Sequence, residues 1–190
     1  MSVTKYWLDS EDRIVKTNLL WDNFAEDNAG GDRSFSDQIV GKSLFGFING
    51  DSTKMFVSTM IQRVRITGKE LEVDYRCDSP DLKRFMKMAI IPEEDGLIRV
   101  ENSLEKEEPF RKSVNFILGD DGNIVKRCSM CQLLYIDNMW IDADKATEVL
   151  GAEEIPVIYT VCGSCKEDLE QRLKTIKPMN QEEYNSSNIT

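Results

Sequence analysis

Cys128-Ser-Met-Cys131 and Cys162-Gly-Ser-Cys165 are two Cys-x-x-Cys pairs separated by 30 residues. Two thiolates at that spacing chelate one ion on a tight turn. Two such turns complete a tetrahedral shell of four sulfurs at about 2.3 Å per bond, which Zn2+ accepts without geometric or redox preference. The spacing therefore points first to a structural zinc site on Cys128, Cys131, Cys162 and Cys165. Iron fits the same sulfur cage. Either pair could instead act as a dithiol/disulfide switch, the second more readily because it stands at a helix N-terminus. A thioredoxin-type reading is weaker, since the βαβ pattern that should precede such a motif is missing from the sequence. Four protein sulfurs leave no open coordination position, so hydrolytic zinc chemistry is not implied.

Composition removes much else. The 190 residues contain no histidine, which excludes His-based acid/base catalysis, Ser-His-Asp and Cys-His triads, His metal ligands and a proximal-His haem. A formal charge of −10 opposes phosphate backbones and anionic lipid, so neither nucleic acid nor a membrane surface is an expected partner. Hydrophobic residues make up 41 % of the chain, enough for a real core. The N-terminal MSVTKYWLDSED has no charged-then-apolar leader and no apolar run is long enough to span a bilayer. Five cysteines, an odd number, suit a reducing compartment better than a disulfide scaffold, so a cytoplasmic protein is expected.

The elements that must carry the cysteines read as follows. KYWLD and RIVKTN flank an acidic turn as two short strands, and Leu19 to Phe24 has one apolar helical face. Asn28 to Asp32 is a loop by composition. From Asp51 or Ser52 as N-cap, Met55, Phe56, Met60, Ile61 and Val64 mark a longer helix that ends at Gly68. Three strands follow: LEVDYRCD, LKRFMKMAII and LIRVENSL. Beyond a charged junction at Glu101 to Lys112 come a hairpin around Asp137-Asn138, a helix from Asp142 or Asp144 to Gly151, the strand PVIYTV, and a helix opened by Cys165. Gly119 to Gly122 is a turn, and Gln181 to Thr190 is a polar tail expected to be disordered.

On strand parity, Arg84 shares a face with Met86 and Met88, and Tyr75 faces the same apolar layer. These four residues line an expected small-molecule cleft, with Arg84 placed to clamp a carboxylate or phosphate. The blander alternative pairs Arg84 with Asp78 or Asp81 and treats the rest as core. Cys77 reads as a buried structural thiol.

This order of pieces, with WDNFAEDN, IVGKSLFGFING, QRVRITGKELEVDYRCDSPDLKRFMKM and the CSMC and CGSC pairs, resembles the PAS fold of bacterial sensory proteins. It is similar in particular to small stand-alone PAS-like proteins with a C-terminal four-cysteine module. The fold class is thus expected to be α+β. A PAS-like antiparallel sheet with helices on one face would span 5–108, a small four-cysteine zinc-binding module 109–175, and a polar tail 176–190. The resemblance implies a non-enzymatic sensor or adaptor without an output domain of its own. It would bind a small molecule or protein partner, act in trans in a signalling pathway, and form a homodimer. The competing expectation is a thiol-based redox sensor whose pairs release zinc and form disulfides.

Overall fold

A computed structural model describes residues 3–27, 34–119 and 124–176. The loop expected at 28–32, the turn at 119–122 beyond Gly119 and the polar tail lie outside the described residues. Strands β1 (Val3–Leu8), β2 (Ile14–Thr17), β3 (Leu71–Arg76), β4 (Leu82–Pro92) and β5 (Ile98–Pro109) form an antiparallel sheet in the order β2-β1-β5-β4-β3. Alternation sets its faces. Tyr6, Leu8, Leu71, Val73, Ile90, Ile98 and Val100 are buried on one side, while Lys5 and Glu101 form an ion pair on the other. Strand β5 runs through the charged stretch expected as a junction, because Glu107 and Glu108 pair with Arg84 and Lys83 of β4.

Helices α1 (Leu20–Asp27), α2 (Ser36–Ile39) and α3 (Asp51–Thr67), with a 3-10 turn at Leu44–Gly46, connect β2 to β3. Phe56, Met60, Ile61 and Val64 of α3 pack onto the apolar face of the sheet. Two sequence expectations need correction here. Met55 is exposed, since it lies one position off the stripe set by Phe56, Met60 and Val64. The N-cap of α3 is Gly50 rather than Asp51 or Ser52. Its φ of +82° favours glycine, and a Cβ there would overlap the backbone oxygen of Tyr159. At the other end Gly68 takes the left-handed conformation, as expected.

A second, mixed sheet holds β6 (Asn115–Leu118), β7 (Val125–Cys128), β8 (Leu134–Ile136), β9 (Met139–Ile141) and β10 (Glu154–Thr160), in the order β6-β10-β7-β8-β9. Strand β10 is parallel to both β6 and β7. Because α4 (Ala143–Leu150) lies in the connection from β7 to β10, the expectation that the chain lacks parallel strands joined through a helix is overturned. The Asp137-Asn138 hairpin is present, both residues having positive φ. Asp142 caps α4 by accepting from the Asp144 amide, and Gly151 ends it. Val114, Leu134, Ala143, Ala146, Ile155 and Val157 form a smaller core between this sheet and α4.

Helix α5 (Gly163–Thr175) begins earlier than expected, with Cys162 as N-cap, so Cys165 lies inside its first turn. No helix among the described residues is long and apolar enough to cross a membrane.

Candidate metal centre

The first Cys-x-x-Cys pair turns the chain between β7 and β8. The Gln132 amide donates to the Cys128 oxygen and the Cys128 amide to the Leu133 oxygen, with Gln132 in the left-handed region. The second pair joins β10 to α5. Parallel pairing of β7 with β10 aligns Cys128 with Thr160, so the two turns emerge side by side at one end of the sheet. The Ser129 amide donates to the Thr160 oxygen, and the Cys162 amide donates to Cys128 Sγ at 3.4 Å.

All four Sγ atoms lie within 4.8 Å of one another, an arrangement able to hold a metal ion. Cys128 and Cys165 are 3.8 Å apart, as are Cys131 and Cys162. A regular tetrahedron with metal–sulfur bonds of about 2.3 Å has edges of about 3.8 Å, so these two edges already match a sulfur-only zinc shell. The donor set fits Zn2+ and leaves no position for water. With protons rather than an ion between the sulfurs, Cys131 and Cys165 hydrogen-bond to Cys128 and hold its thiol far below the ordinary thiol range. The bond to Cys128 in turn pushes Cys131 up to about 12. A divalent cation resolves this competition by letting all four sulfurs carry charge.

The cluster is docked on the first sheet. Ser129 and Met130, the residues between the first two cysteines, make the contacts. Ser129 Oγ lies 2.6 Å from Thr53 Oγ1 in the first turn of α3, and the Met130 oxygen accepts from the Arg76 amide at 2.7 Å. That bond satisfies a donor on the outer edge of β3, which no other strand among the described residues covers. Helix α5 continues along the edge: Arg172 donates to the Glu72 oxygen and to Asp74 Oδ2. Arg63 of α3 donates to the Leu173 and Ile176 oxygens, satisfying carbonyls at the C-terminal end of α5. Cys128, Met130, Cys162 and Leu169 accordingly belong to the same apolar core as the first sheet.

A charged junction runs beside this contact. Asp78 accepts from Arg76 Nη2 at 2.7 Å and Nε at 3.1 Å, and lies 3.4 Å from Arg127 Nη2 on β7. Arg76 also donates to Asp142 at the start of α4, which Lys83 reaches from β4. Burial pushes the Asp78 carboxyl above its ordinary range despite Arg76 and Arg127. Burial acts in the same sense on Asp142, but hydrogen bonds from Lys83 and Arg76 outweigh it and hold that carboxyl low.

A cleft of about 400 Å³ opens between β3, β4 and the cysteine turns, lined by Tyr75, Phe85, Met86, Met130, Cys131 and Cys165. Asp74, Arg76 and Glu105 also border it. Of the four residues read from the sequence as a cleft, Tyr75 and Met86 border this cavity. Met88 instead packs against the core. Arg84 is buried, and its Nε donates to the Cys77 oxygen at 2.8 Å. It is thus committed to the turn after β3, and neither the ligand clamp nor the side-chain pairing with Asp78 or Asp81 describes it. Cys77 follows the last residue of β3 and is half-buried, with burial raising its thiol pKa. The residues that sequence reasoning missed are Ser129, Met130 and the Arg76–Asp78–Arg127 junction. The one local signal for them was the alternation of Arg76 and Asp78 about Cys77.

No family model matches the chain, and no curated protein does. Among solved structures it is similar to a domain of an HTR-like protein from Haloarcula marismortui. The identity is 11 %, the TM-score 0.41, and the match covers 55 % of this chain and 98 % of that one. A likeness of that size carries no reading of function.

Proposed function

We propose that this chain is a non-catalytic sensor or adaptor of a signalling pathway. In this reading a structural Zn2+ on Cys128, Cys131, Cys162 and Cys165 joins a PAS-like half to the cysteine-bearing half. A small molecule in the cleft beside Tyr75 and Met86, or a protein partner, provides the signal. The protein acts in trans from the cytoplasm, as a homodimer. The observation that carries this reading is the convergence of four Sγ atoms within 4.8 Å at the edge of a sheet that also borders a cleft. The ion would tie the cleft wall to the second sheet, so a change in the cleft would be passed to the surface of the other half. Zinc supplies charge neutralisation and cross-linking, while the chain orients its sulfurs through the Cys162 amide and the Thr160–Ser129 bond.

Mass spectrometry of the purified protein under native conditions tests the proposal in one measurement. One zinc per chain, a retained small molecule and a dimer are the expected result. A chain without metal would sink the structural reading; a metal-bound monomer that neither retains nor binds any small molecule or protein would sink the sensory one.

A further inference from the structure

The four sulfurs are not equivalent. Cys128 and Cys162 are 0 % and 3 % exposed, whereas Cys131 and Cys165 are half-buried and line the cleft. One sulfur of each Cys-x-x-Cys pair thus faces an open cavity large enough for a small molecule, while its mate is sealed in the core shared with the first sheet. The apolar part of the cleft wall is Tyr75, Phe85, Met86 and Met130, with Asp74, Arg76 and Glu105 also bordering it, a surface that can take an organic residue.

We propose that Cys131 and Cys165 form a reactive site for hydroperoxides, and that the first oxidation product is a Cys131–Cys165 disulfide bridging the two turns. This rests on the zinc reading of the site. The Cys131 thiolate attacks the terminal oxygen of ROOH. An S–O bond forms, the O–O bond breaks, and alkoxide leaves. The Cys165 thiolate then attacks the resulting sulfenic sulfur, forming the S–S bond and expelling hydroxide. Each sulfur is oxidised by one electron and the peroxide is reduced by two; the alkoxide and the hydroxide each take a proton from the solvent buffer, giving an alcohol and water. Cys165 lies within 4.8 Å of Cys131 and shares its cleft; Cys162 is nearer to Cys131, at 3.8 Å, but is buried, so a Cys131–Cys162 bridge is the competing product. The ion, left with two ligands, is released. This pairing differs from a switch in which each Cys-x-x-Cys closes on itself, because the bridge joins the two turns.

The test uses the full zinc-loaded chain. Limiting cumene hydroperoxide is added, zinc release is followed with a chromogenic chelator, and free thiols are then alkylated and mapped by peptide mass spectrometry. The expected result is one zinc released per disulfide, the bridge joining Cys131 to Cys165, and Cys128, Cys162 and Cys77 recovered as alkylated thiols. Glu105→Trp, which puts an indole at the cleft, is expected to slow the reaction several-fold without changing zinc content. A first bridge within either Cys-x-x-Cys pair, a first Cys131–Cys162 or Cys128–Cys165 bridge, or an unchanged rate in Glu105→Trp overturns the proposal while leaving the zinc site intact. Protein that carries and takes up no zinc before peroxide is added overturns the reading beneath it instead.

Discussion

Asp78→Asn is the sharpest probe of how the two sheets are held together. The Asp78 side chain is 1 % exposed, between Arg76 at 10 % and Arg127 at 5 %. Removing its charge leaves two guanidinium groups in a region where water cannot compensate them. Breaking a buried pair from one side costs about 3–5 kcal/mol. Arg76 keeps Asp142 and Arg127 keeps its stack 3.5 Å above the Phe116 ring, so the expected loss is at the low end, about 3 kcal/mol. With a urea m-value of about 2 kcal/mol per molar, the midpoint falls by about 1.5 M at unchanged slope. Asp142→Asn is the control. Its side chain is 32 % exposed, Lys83 retains Asp144, and Asn caps a helix as well as Asp, so about 1 kcal/mol is expected. Urea unfolding followed by tryptophan fluorescence measures both. Equal effects of the two substitutions, or an Asp78→Asn loss below about 1 kcal/mol, would refute the assignment of this junction as a buried tie.

Further outcomes follow from the same contacts. Gly50→Ala combines a φ of +82° with overlap on the Tyr159 oxygen and is expected to destabilise by about 1–3 kcal/mol, read as a fall in Tm. Thr53→Val removes the partner of Ser129 Oγ and is expected to cost about 1 kcal/mol in chemical denaturation, with zinc content unchanged. Asp142 has a lowered native pKa, so its ion pairs stabilise the fold above the ordinary 3.8 and are lost as pH falls through the lower native value. Asp142→Asn should therefore flatten the acid limb of a stability–pH curve below 3.8, and an unchanged limb would contradict that. Cys128→Ser or a strong chelator should remove the metal and lower Tm, because an ion bound only by the folded chain stabilises it.

Much of the first sheet was legible because each strand buries one face, so alternation in LEVDYR and the turn residues between strands were sufficient. Gly68, Gly151 and Asp137-Asn138 were legible for a similar reason: their backbone conformations admit few residue types. The cysteine spacing disclosed the four-sulfur cluster because chelation on a tight turn fixes local sequence. What stayed hidden depends on distant partners. Arg76 finds Asp142 66 residues away, and Asp78 meets Arg127 49 residues away; no periodicity encodes either. The same holds for Gly50, whose neighbour is the Tyr159 backbone, and for Arg84, whose parity was read correctly but whose guanidinium is taken by a main-chain oxygen. Parallel pairing of β10 with β6 and β7 was missed because short apolar runs do not announce their direction.

The metal centre itself is tested most directly by X-ray absorption at the zinc edge on the full chain loaded with one equivalent of Zn2+. Four sulfur neighbours at about 2.3 Å, with no oxygen or nitrogen in the shell, are the expected result. A shell containing light atoms, or fewer than four sulfurs, would contradict a centre in which Cys128, Cys131, Cys162 and Cys165 together bind the ion.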